Sequence, residues 1–136
     1  MTENEIAKQI LDAAFIVPTK LGPGLLESVY EVVLAYELQK RGLTTERRKP
    51  LPILYDSIRF DEAFRSDLVV NGKVIAELKS VEALLPVHVK QLLTQLRLSG
   101  LKLGLLINFG DAHLKNGIKR VINGRLDAEN SVEATL

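Results

Sequence analysis

The stretch from Ser66 to Ser80 constrains this chain more than any other. Two apolar, β-branched runs, Leu68-Val69-Val70 and Val74-Ile75-Ala76, flank Asn71-Gly72. Asn-Gly tolerates positive φ at both positions and is the strongest short-range hairpin signal. Side chains alternate along strands, so the loop length decides which residues share a face. A two-residue turn would pair Val70 with Lys73 and set Asp67 opposite Ala76. An odd loop, Asn71-Gly72-Lys73, pairs Val70 with Val74 and sets Asp67 opposite Glu77. The hydrophobic pattern selects the odd loop, which puts Leu68, Val70, Val74, Ala76 and Leu78 on one core face. Asp67, Val69, Ile75, Glu77 and Lys79 then occupy the other.

Asp67, Glu77 and Lys79 gather on a strand pair too apolar to stand in water. Carboxylates within about 4–6 Å oppose each other's ionisation unless a cation lies between them. Mg²⁺ answers that need, being a hard ion held by one or two carboxylates plus waters and phosphate oxygens. A neighbouring lysine can orient water or offset charge on a phosphoryl group. The same residues also make an ordinary solvated cross-strand cluster, and the pattern alone leaves both readings open.

Three segments in order carry a family resemblance. Asp67 followed by Glu77-Leu78-Lys79 resembles the core of the PD-(D/E)xK nucleases. Gly24-Leu25-Leu26-Glu27-Ser28-Val29-Tyr30 resembles the signature of the GxxExxY family, which is assigned to that superfamily. Gly104 to Gly110 resembles its closing strand. The likeness covers nearly the whole chain. It implies an α/β fold, a PD-(D/E)xK nuclease-like core with a mixed sheet flanked by helices. It also implies phosphodiester hydrolysis in DNA or RNA with Mg²⁺ or Mn²⁺. Asp67 and Glu77 would be metal ligands, joined by the Leu78 carbonyl, and Lys79 would position the attacking water. Glu27 would act as a further ligand or through a bridging water, and Gln91 would orient the site. In RecB-type relatives this glutamine is followed four residues later by tyrosine; here that position holds Gln95.

The remaining pattern fits such a domain. Ile6, Ile10, Ala13, Ala14 and Val17 are spaced for a helix over residues 3–17, with Thr2 and Glu5 as a capping box. Pro18 should end or kink it. A second helix follows Leu21-Gly22-Pro23-Gly24 and stops at Gly42; Tyr30, Leu34 and Leu38 share its apolar stripe with Glu27. In its first turn Glu27 is also favoured by the helix dipole alone. Lys40, Arg41, Arg47, Arg48 and Lys49 form a basic stretch that would attract a polyanion, or simply a solvated surface. Ile53–Tyr55 and Ile58–Phe64 read as short strands around Asp56-Ser57, with Asp61 and Glu62 as turn acids. A helix from Pro86 to Ser99, a buried strand over 102–109 and an edge strand around 118–122 complete the order.

At 136 residues the expectation is one domain over 1–126 with a polar, disordered tail over 127–136. No cysteine is present, which excludes thiolate metal sites and disulfides and fits a cytoplasmic setting. No apolar run reaches the roughly 20 residues of a membrane span. A net charge of +1 gives no bulk attraction to nucleic acid. A non-catalytic nucleic-acid-binding domain, or an interaction module forming a homodimer, remains an alternative to the nuclease.

Overall fold

The computed structural model describes residues 1–126, so the expected tail over 127–136 lies outside the described residues. Helices α1 (Glu3–Leu21) and α2 (Glu27–Lys40) precede a five-stranded sheet in the order β1 (Thr45–Tyr55), β2 (Ile58–Val70), β3 (Val74–Lys79), β4 (Leu103–Asn108) and β5 (Ile118–Ile122). Helix α3 (Pro86–Ser99) connects β3 to β4, the one parallel pair; the other pairs are antiparallel. The sheet is therefore mixed, and the protein is α/β as its pattern implies. No described helix is long and apolar enough to cross a membrane.

Each face of the sheet packs a separate apolar layer. Leu68, Val70, Val74, Ala76 and Leu78 join β4 and the inner sides of α1 and α2 in the larger one. Val69, Ile75, Leu106 and Val121 join Leu92 and Leu96 of α3 in the smaller one. The hairpin register is Val70↔Val74, Val69↔Ile75, Leu68↔Ala76, the odd loop that the pattern selects. Asn71 and Gly72 both take positive φ, at 51° and 64°.

Helix α1 overrides one expectation. It runs through Pro18 to Leu21, because losing one backbone donor near a helix end is cheaper than unwinding the turn. The Gly22 N–H donates to the Pro18 carbonyl at 2.8 Å and closes the helix. Strands β1 and β2 are also longer than the short pair expected. They form a continuous hairpin turning at Asp56, where φ is 53°. Asp61 and Glu62 consequently stand in β2 and not in a turn. They fall where the register shifts between Leu51 and Ile53, opposite Pro52, whose missing N–H cannot hold a regular ladder.

A second irregularity lies closer to the site. Arg48 has φ 52°, a left-handed backbone in a strand, which costs on the order of 1–3 kcal/mol. The flanking pairs Arg47↔Leu68 and Lys49↔Ser66 put it opposite Asp67. On one side of this point Arg47 reaches Glu31 of α2, while on the other Ser66 bonds Gln95 of α3. The ribbon thus reverses its facing at Arg48 and Asp67, and its distal half overlooks α3.

Candidate active site

The β2–β3 ladder stops at Leu68↔Ala76, and side chains make the next rung. The Asp67 backbone N–H donates to Glu77 Oε1 at 3.0 Å, and the Leu78 N–H donates to Asp67 Oδ2 at 2.9 Å. Two carboxylates have taken places that backbone carbonyls would fill in a regular sheet. The sequence motif therefore has a local cause: a strand pair that splays there needs acceptors, and Asp67 and Glu77 supply them.

Burial makes this rung electrostatically costly. Glu77 is only 7% exposed. Desolvation and then the charge of Asp67 push its carboxyl up to about 8. Asp67 is also raised, mainly by burial, against the opposing pull of the Leu78 N–H bond. Lys79, on the same strand, favours ionisation of both groups but does not offset their desolvation. A buried carboxylate pair of this kind is short of positive charge.

Asp67, Glu77 and Lys79 open on a cleft of about 660 Å³ between the distal β1–β2 hairpin and α3. Gln91 lines the same cleft, with Lys90 one residue before it. Gln95 lines it too, and its Oε1 accepts the Ser66 hydroxyl at 3.0 Å. At the position where RecB-type relatives carry tyrosine, the side chain therefore braces α3 against β2. His88 acts at the head of α3, its Nδ1 accepting the Leu85 N–H at 3.0 Å.

Glu27 approaches from the other side. It is exposed at the first position of α2, and its Oε1 accepts the Ser80 N–H at 3.4 Å, beside the end of β3. With Asp67 and Leu78 it lines a second cavity of about 280 Å³. Tyr30 explains how it is held there. The Tyr30 hydroxyl donates to the Gly22 carbonyl at 2.6 Å and accepts the Leu25 N–H at 3.0 Å. Its ring stacks on Phe109, with centroids 4.4 Å apart. The glycine, glutamate and tyrosine of this segment are thus one device: the tyrosine pins the loop that starts the helix at Glu27. Among the described residues, however, no three histidine, aspartate or glutamate side chains converge as a ready metal cage.

The chain matches the family model of the PD-(D/E)XK nuclease superfamily over residues 4–121. It belongs to that superfamily. Searches of curated proteins and of solved structures each return no match.

Within this PD-(D/E)XK domain, one charged group escaped the sequence reading. Glu31 is 4% exposed, and its Oε2 receives Arg47 at 2.9 Å and Arg48 at 3.4 Å. Glu31 also lines the second cavity beside Asp67 and raises the Asp67 pKa. Its neighbour Tyr30 on the apolar stripe drew attention away, and the signal available was two adjacent arginines needing a buried partner. Within the basic stretch Lys40 also pairs with Glu37 and Lys49 with Glu46, while Arg41 bonds the neutral Gln9 side chain.

Proposed function

We propose that this chain is a divalent-metal-dependent nuclease, hydrolysing phosphodiester bonds in nucleic acid. The observation that carries it is the side-chain rung of Asp67 and Glu77 beside Lys79, in a cleft of a PD-(D/E)XK domain. Within that superfamily, the Gly24–Tyr30 segment supports placement among the GxxExxY proteins.

The donor set fits Mg²⁺ or Mn²⁺. Two raised carboxylates are relieved by a cation, and hard oxygen ligands suit these ions. Asp67, Glu77 and the Leu78 carbonyl would hold it, leaving the other positions to water and phosphate oxygens. Glu27, reaching the end of β3, would add an acidic group through water. The bound ion would supply Lewis-acid activation and charge neutralisation. In hydrolysis the oxygen of water joins phosphorus, one P–O ester bond breaks, and the leaving oxygen takes up a proton. Lys79 would orient the water and offset charge building on the phosphoryl oxygens. Gln91, from α3, would hold the substrate or water through its amide.

The test is cleavage of labelled DNA and RNA oligonucleotides with Mg²⁺, Mn²⁺ or chelator. The expected outcome is metal-dependent cleavage that falls about 100-fold or more in Asp67→Ala and in Lys79→Ala, the usual scale for losing a positioned catalytic group. Cleavage that persists in chelator, or survives both substitutions, would refute the reading.

A further inference from the structure

We infer that the distal β1–β2 hairpin is the binding wall for an unpaired nucleic-acid strand, so that the cleft takes single-stranded in preference to duplex substrate. This rests on the nucleic-acid reading above and specifies its substrate. The hairpin's ladder pairs Leu51 with Phe64, Ile53 with Phe60 and Tyr55 with Ile58. By strand alternation all of these share one face. It is the face that continues from Ser66, whose hydroxyl bonds α3, and Ile53 and Phe64 line the catalytic cleft itself. Apolar side chains therefore recur along this face from Phe64 and Leu51 outward to the hairpin tip, broken at the register shift, where Glu62 pairs with Arg65.

Much of that surface has no partner within the described residues. Tyr55 is 70%, Ile58 55% and Phe60 49% exposed. Base rings stack on such surfaces without regard to sequence, whereas a duplex keeps its base faces against one another. Positive charge lies where a backbone would run: Lys79 and Lys90 line the same cleft, and Arg65 lines it while paired with Glu62. The cleft, at about 660 Å³, is of the size that encloses small ligands and falls far short of enclosing a duplex. The outermost strand β1 carries Pro50 and Pro52, residues that blunt a sheet edge against pairing with another chain. The face of the ribbon, not its edge, is what remains to be covered.

The test measures fluorescence anisotropy of a labelled mixed-sequence single strand and of the same sequence as a blunt duplex. It is run at low salt in chelator, so that binding is read without cleavage. The double variant I53S/F60S is compared with wild type, and F60S alone, at an exposed position, guards against a folding defect. Single-strand affinity should fall by about ten- to hundredfold in the double variant and less in F60S, with duplex affinity unchanged. Equal losses on both probes, no loss on either, or no binding by wild type would overturn the inference. So would a wild-type dimer in sedimentation that either variant dissociates, because a second copy would then cover this face. The two proposals fail separately. Metal-dependent cleavage without a single-strand preference keeps the nuclease and removes the wall. Preferential single-strand binding without cleavage does the reverse.

Discussion

On the sheet face toward α1 and α2, the side chains of β2, β3 and β4 are almost all aliphatic and enter one large core with Tyr30, Leu34 and Leu38. On the face toward α3, only Val69, Ile75, Leu106 and Val121 from the strands enter a core, under Leu92 and Leu96. Beyond Val69 and Ile75 that face gives way to Asp67, Glu77 and Lys79. Both faces belong to the same strands, so propensity does not separate them; coverage does. Two helices bury one face along its length. A single helix covers half of the other and leaves a cleft in which ionisable groups are partly dried without being sealed. Stability is concentrated on the first face and the costly electrostatics on the second.

Core truncations probe this contrast with the largest expected effect. Leu34→Ala should cost about 3–5 kcal/mol, since two layers surround the cavity it leaves. Leu92→Ala, equally buried but beside an open cleft, should fall nearer 2 kcal/mol because α3 can settle inward. Chemical denaturation of both variants measures the difference, and a greater cost at Leu92 would break the comparison.

The pH dependence follows from Glu77. Its protonated form is favoured in the folded state, so its contribution to metal-free stability is complete below the ordinary value of 4.5 and lost as pH rises through about 8. Metal-free protein should accordingly lose stability across that interval. Glu77→Gln should flatten the profile there, as read from thermal melts in chelator. An unchanged slope would place the titrating group elsewhere.

How much of this was legible beforehand differs between the two faces as well. The large core was read directly, because Leu68, Val70, Val74, Ala76 and Leu78 alternate without interruption and fix the hairpin register. That register also put Glu77 across from Asp67. The sequence did not reveal that the ladder ends there and that carboxylates complete it. Nor did it reveal the reversal at Arg48, where an arginine holds a backbone conformation usually left to glycine or asparagine. Pro18 and Pro52 mark the limit from another direction. One is absorbed by a helix end and the other by a bulge, and tertiary packing decides both. Glu31 was hidden for the same reason, since its partners come from a strand 16 residues away.

Substitution at Asp67 sharpens the electrostatic half of the comparison. Asp67→Asn removes the charge that, after burial, raises Glu77, so metal-free stability should rise, by up to about 1 kcal/mol on the scale of a cross-strand charge pair. The same change deletes a proposed metal ligand. Wild type should gain about 2.7 kcal/mol at Mg²⁺ or Mn²⁺ a hundredfold above its dissociation constant, and the variant should gain little. Melts of both proteins with and without metal give all four values. Equal metal-induced shifts would put the ion at another site.

Glu27 tests where the two faces meet, and its effect should be the smallest. Its Oε1 lies 3.4 Å from the Ser80 N–H, a long bond, and it sits in the first turn of α2. A carboxylate there is favoured by the helix dipole by about 0.3–1 kcal/mol whether or not a metal is present. Glu27→Gln keeps the shape and an acceptor but removes the charge. If Glu27 serves only α2, the variant should lose that amount equally in chelator and in Mn²⁺. If it also serves the metal site through water, as proposed, an additional loss should appear in Mn²⁺ alone, because only the occupied site feels the missing charge. The difference between two melting shifts isolates this second loss from the first. A difference of zero, with the chelator loss intact, would confine Glu27 to the dipole of its helix and leave Asp67 and Glu77 as the proposed site's acidic pair.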